Sequence, residues 1–137
     1  MTTFTIPGTP KGQGRPRFGR AKAGFVTVHD PKESRDWKQT VAATALAAGV
    51  RGQPGCFRLC IYAYLPRPKR LCRKKDEPIP VWAACRPDVD NIFKGVADAL
   101  EGVAYANDSQ VVDGWCKKMY HEIGGMPRTV VQIEVVT

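Results

Sequence analysis

Six carboxylates and a single ammonium group fall between Asp88 and Asp113 of a 137-residue chain whose formal charge is +8. The acids are Asp88, Asp90, Asp98, Glu101, Asp108 and Asp113, and the base is Lys94. Like charges held together repel and raise one another's pKa, so such a cluster in so basic a protein implies a cation bound among them. Asp88 and Asp90 stand two apart and project from one side of an extended segment. From Asp90 the pattern becomes helical, with Ile92, Phe93, Val96, Ala97 and Leu100 on one stripe and Asn91, Lys94 and Asp98 on the opposite face. Gly102 is the expected stop. Asp88 occupies the place of an N-cap, and Lys94 lies one turn beyond Asp90 on the same side. A short loop then reaches Asn107-Asp108 and a strand beginning at Val111-Val112. The spacing predicts a carboxylate pair at a helix N-terminus with a third carboxylate at the mouth of the next strand.

Taken singly, each acid has an ordinary role, Asp as a cap and Asn-Asp-Ser as a turn. A cap uses one carboxylate, and two flanking a helix start beneath a lysine exceed that need.

The elements that must position these groups follow from the rest of the chain. The length suits one domain with one core, and no stretch approaches the roughly 20 apolar residues of a membrane span. The first residues lack a charged and then apolar leader. The five cysteines (Cys56, Cys60, Cys72, Cys85, Cys116) form no Cys-x-x-Cys pair. They read as reduced thiols of a cytoplasmic protein, not as a zinc site. No P-loop, dinucleotide fingerprint or Ser-His-Asp order is present, and no organic cofactor is expected. His29 and His121 read as capping or surface residues.

Met1 to Pro7 alternates as a first strand, and Phe25 to Val28 suggests a short second one. Between them Gly8 to Gly24 forms a basic loop, because Lys11, Arg15, Arg17, Arg20 and Lys22 all precede the first acid, Asp30. Asp30-Pro31-Lys32-Glu33 resembles a capped helix start, with the helix running through Trp37, a core residue, to about Ala48. Phe57 to Leu65 is the clearest strand, its apolar positions alternating from Phe57 to Leu65. A second flexible basic segment, about residues 66–80, carries Arg67, Lys69, Arg70, Arg73, Lys74 and Lys75 and leads through Arg86 to the acids. Gln110 to Tyr120 and Thr129 to Val136 complete the strands. This order predicts an α+β fold in a single domain, a mixed β-sheet with two α-helices packed on one face. The two basic segments and Arg86 read as a DNA-backbone-binding surface.

Pro-Asp-Val-Asp-Asn-Ile-Phe-Lys, then Asp-Ala-Leu, then Asn-Asp-Ser-Gln-Val-Val, resembles the signature of the RusA family of Holliday junction resolvases of bacteria and their phages. The resemblance covers about Arg86 to Val112. It implies that Asp88, Asp90 and Asp108 bind metal, that Lys94 is needed for cleavage, and that the protein is a homodimer acting on four-way DNA junctions. The family has two adjacent aspartates before the strand that begins at Val111, and this chain has Asn107 in the first place. Carboxylate oxygens suit Mg²⁺, with Mn²⁺ able to substitute, whereas His and Cys would suit zinc. The expected activity is metal-dependent phosphodiester hydrolysis, with paired symmetric nicks in a junction. A nuclease acting on other branched or duplex DNA, and a non-catalytic DNA-binding protein, are the alternatives.

Overall fold

The structure is a computed structural model describing residues 1–14, 17–20, 26–29 and 31–136, the segments 17–20 and 26–29 as backbone alone. The strands are β1 (Thr2–Pro7), β2 (Arg17–Arg20), β3 (Val26–His29), β4 (Cys56–Leu65), β5 (Val81–Trp82), β6 (Val111–Tyr120) and β7 (Arg128–Val136). Helix α1 spans Lys32–Ala47 and α2 spans Val89–Leu100. Five strands form one sheet in the order β1-β7-β4-β6-β5, while β2 and β3 make a separate hairpin. The β4–β6 pair is parallel and the other neighbours are antiparallel, so the sheet is mixed. A parallel neighbour requires a crossover, and α2 lies on the connection from β4 to β6.

Period-2 alternation sends Leu59, Ile61, Ala63 and Leu65 of β4 to the same face as Val131 and Ile133 of β7 and Phe4 and Ile6 of β1. Trp37, Val41 and Ala45 of α1 and Ile92, Val96 and Leu100 of α2 close over that face in one core. Both helices thus cover one side of the sheet. Each fully buried Leu or Ile contributes roughly 1.5–3 kcal/mol. Two glycines set how near the helices come. A Cβ on Gly95 would stand 3.2 Å from the Trp37 ring, and one on Gly114 of β6 would overlap the Leu59 carbonyl oxygen and crowd the Phe93 ring.

Three expectations change. Segment 8–24 is not loop throughout, since β2 lies within it. At the start of α1 the N-cap position is Pro31 and no side chain caps the helix; Asp30, expected there, lies outside the described residues. In place of a cap, buried Ser34 holds the glycine loop, accepting from Gly14 N at 2.7 Å and donating to Gly12 O at 3.3 Å. Segment 66–80 is also ordered. The Arg67 side chain donates to the carbonyls of Leu71, Glu77 and Ile79 at 2.7–2.9 Å, and the residue is 9% exposed.

Candidate active site

Helix α2 carries the candidate groups because its apolar stripe must face the sheet, which leaves Asn91, Lys94 and Asp98 on the other side. Asp88 is its N-cap residue by backbone position, but its carboxylate makes no capping hydrogen bond. That exposed carboxylate remains available at the positive end of the helix dipole. Asp90, in the first turn, is exposed, and among the described residues its carboxylate accepts only from Asn91 N, at 3.0 Å. Beside them a cleft of about 860 Å³ is lined by Lys11, Gly12, Ser34, Arg86, Asp88 and Asn91, among others. The glycine loop sits directly on α2, with Gln13 N donating to Asn91 O at 2.8 Å. Two cations and a free carboxylate therefore share one opening.

The opposite end of α2 holds a second group. Lys94 Nζ lies 3.8 Å from Asp98 Oδ2, with 61% of the Lys94 side chain and 24% of the Asp98 side chain exposed. Lys94 thus pairs with Asp98, not with Asp90. Asp108 opens a single 3₁₀ turn (Asp108–Gln110), and its N–H donates to Glu101 Oε1 at 3.1 Å. Its carboxyl is within hydrogen-bonding reach of Asp98. Burial chiefly raises the Asp98 pKa, the neighbouring Asp108 raises it further, and Lys94 and Lys38 act against both. Asn107 caps the turn, its side chain accepting from Ser109 N at 2.8 Å while Gln110 Oε1 accepts from Asn107 N at 3.1 Å. The Asn107 oxygen is thereby used in the turn.

An α-helix rises about 1.5 Å per residue, so Asp90 and Asp98 are roughly 12 Å apart along the axis. The structure brings Asp88 to the same helix end as Asp90, and it brings Asp108 to Asp98. Within one chain it does not gather all three expected ligands: among the described residues no group of three or more His, Cys, Asp or Glu side chains could hold a metal ion. The donors are nonetheless all carboxylate oxygens. Burial pushes the Cys116 thiol up to about 12 and raises that of Cys60.

Of the expected DNA contacts, Lys11 and Arg86 are exposed on the cleft, and Lys69, Arg70, Lys74 and Lys75 are exposed on the second basic segment. Arg73 is exposed but paired with Asp76 at 3.2 Å. Arg67 is buried, so its expected contact with DNA is replaced by a role in folding the loop. Arg15, Lys22 and the side chains of Arg17 and Arg20 lie outside the described residues. His121 is structural: Nε2 accepts from Arg67 N at 3.2 Å and Nδ1 lies 2.7 Å from Glu122 O, which fits the Nδ1–H tautomer. The sequence placed Asp98 on the helix face of Lys94 but gave it no role in the site. Its i,i+4 spacing from Lys94 was the signal for the pair.

A mixed sheet covered on one side, with carboxylates and cations disposed along an exposed helix face, defines a small basic α+β domain suited to phosphodiester chemistry. A family model described as Endodeoxyribonuclease RusA matches residues 7–134, and the chain belongs to this family. Membership places it among the DNA endonucleases. The uncharacterized protein YqaN of Bacillus subtilis (strain 168) is 38% identical over 142 residues, covering 98% of this chain and 96% of that one. Among the described residues no helix is long and apolar enough to cross a membrane.

Proposed function

We propose that this protein resolves four-way DNA junctions by paired, symmetric, Mg²⁺-dependent nicks, acting as a homodimer in the bacterial cytoplasm. The observation that carries the reading is the Asp88 carboxylate, unused as a cap, opening onto a cleft that Lys11 and Arg86 also line. Asp88, Asp90 and Asp108 would hold the metal, and their oxygens suit Mg²⁺ or Mn²⁺. A bound divalent ion supplies a nucleophilic water at neutral pH and offsets charge on the phosphate.

The chain's own groups do the rest. Lys11 and Arg86 hold backbone phosphate at the mouth of the cleft, and Lys69, Arg70, Lys74 and Lys75 extend its path. Their contribution is salt-dependent and largely independent of sequence. Lys94 places a positive charge where negative charge develops on the reacting phosphate, or orients the attacking water. The homodimer has a geometric motive, because the carboxylates are divided between the two ends of α2. A two-fold axis across α2 sets the first turn of one helix against the last turns of the other, and the same axis matches the symmetry of the junction strands.

The test uses a synthetic four-way junction and a matching linear duplex, each with and without Mg²⁺. Symmetric nicks in the junction alone are expected. Asp90→Asn is expected to abolish metal-dependent cleavage and to leave junction binding in EDTA equal or tighter, because without metal the removal of a negative charge cannot weaken attraction to phosphate. Full activity in that variant would end the assignment.

A further inference from the structure

We propose that Asp98 is a positioning residue of this nuclease site, holding the Lys94 ammonium group beside Asp108 and away from Asp90. The proposal rests on the reading of α2 and Asp108 as the nuclease site. Lys94 has a carboxylate one turn away in each direction, Asp90 before it and Asp98 after it. Helical side chains lean toward the N-terminus, and an acid four residues before a lysine is the better-oriented pair. Both effects favour Asp90. The structure shows the reverse, with Nζ at 3.8 Å from Asp98 Oδ2.

The reason lies in what surrounds Asp98. Its side chain is only 24% exposed, and the neighbouring Asp108 carboxylate raises its pKa beyond what burial does. Two neighbouring carboxylates make a stronger negative potential than Asp90 alone, and a cation is the group that relieves their repulsion. Lys38 of α1 adds positive charge to the same surroundings. Asp98 is held by the helix backbone and partial burial, whereas Lys94 ends a long flexible stem. The fixed partner therefore selects where the mobile ammonium group rests.

Asp98→Asn keeps the shape and can still hydrogen-bond to Asp108, but it removes the charge that holds Lys94. Three measurements test it: single-turnover nicking of a four-way junction with Mg²⁺, junction affinity in EDTA, and urea unfolding. The nicking rate is expected to fall about tenfold through lost orientation, with affinity equal or tighter and the unfolding midpoint not lowered. Asp98→Glu should recover most of the rate. In a Lys94→Ala background, adding Asp98→Asn should cost nothing further, because the two act as one unit. An unchanged rate, a loss that adds in full to that of Lys94→Ala, or a loss that tracks the unfolding midpoint and is not recovered by Asp98→Glu overturns the proposal. A wild-type protein that binds but never nicks the junction overturns the nuclease reading beneath it, which is a different result from an active wild type with an indifferent Asp98→Asn.

Discussion

Arg67 lies three residues before Arg70 in one run of bases, yet only 9% of it is exposed. Its guanidinium donates to the carbonyls of Leu71, Glu77 and Ile79, with a longer bond to His121 O at 3.4 Å. Loop carbonyls away from a sheet need donors, and a five-donor planar fork is suited to supply several at once. Side-chain type alone gives the same reading to Arg67 and Arg70, so only packing separates the clamp from the surface cation. Arg67→Ala would strip several acceptors of their donor and open a cavity. A loss of about 3 kcal/mol in urea unfolding is expected, with the salt dependence of DNA binding by the folded fraction unaltered. A flattened salt dependence at unchanged stability would return Arg67 to the DNA-binding set.

Elements were legible where period and punctuation agreed. β4 reads from its alternation, and α2 reads from its stripe and from Gly102, whose φ of 84° is the left-handed turn that glycine permits. β2 could not be read this way, because Arg17–Arg20 is too short to show a period and lies among Gly and Pro residues. The start of α1 was misread because Pro31 takes the N-cap position, and Ser34 gives its hydroxyl to the glycine loop. The acids of the site were legible by type and spacing. Their partners were not, since Lys94 stands four residues from both Asp90 and Asp98 and spacing cannot choose between them. The seating of α2 on β6 was equally hidden, because it depends on a missing side chain. Gly114 faces the helix layer from β6, paired with Leu59, and a Cβ there would overlap the Leu59 carbonyl oxygen and stand 3.0 Å from Phe93. Gly114→Ala must therefore push α2 off the sheet or bend β6, at an expected cost of roughly 2–4 kcal/mol. Denaturant unfolding measures it, and a change below about 0.5 kcal/mol would mean the strand yields freely.

Across the whole molecule, positive charge is not spread evenly, and the sheet shows where it is neutralised. On the side away from the helices, Arg58 bridges Asp113 at 2.7 Å and Glu134 at 2.6 Å. Lys117 lies over the Trp115 ring at 4.4 Å, and Arg128 lies over Tyr64 at 4.1 Å while pairing with Glu122 at 3.2 Å. Cations on that face are matched by carboxylates or rings, which leaves it little attraction for a polyanion. The exposed bases of segment 66–80 differ: among the described residues Lys69, Arg70, Lys74 and Lys75 form no ion pair. The loop is itself held in shape by Arg67, so its cations are presented from a fixed base. Each phosphate contact adds about 0.9 to the slope of log affinity against log salt. Replacing Arg70 and Lys74 by Glu should therefore weaken junction binding and lower that slope by about 2, while Arg58→Glu at the matched face should leave the slope alone. Binding titrations between 50 and 200 mM salt, a range over which such contacts change affinity by orders of magnitude, separate the two surfaces. An unchanged slope in the Arg70/Lys74 variant would mean that the DNA passes the molecule without touching this loop.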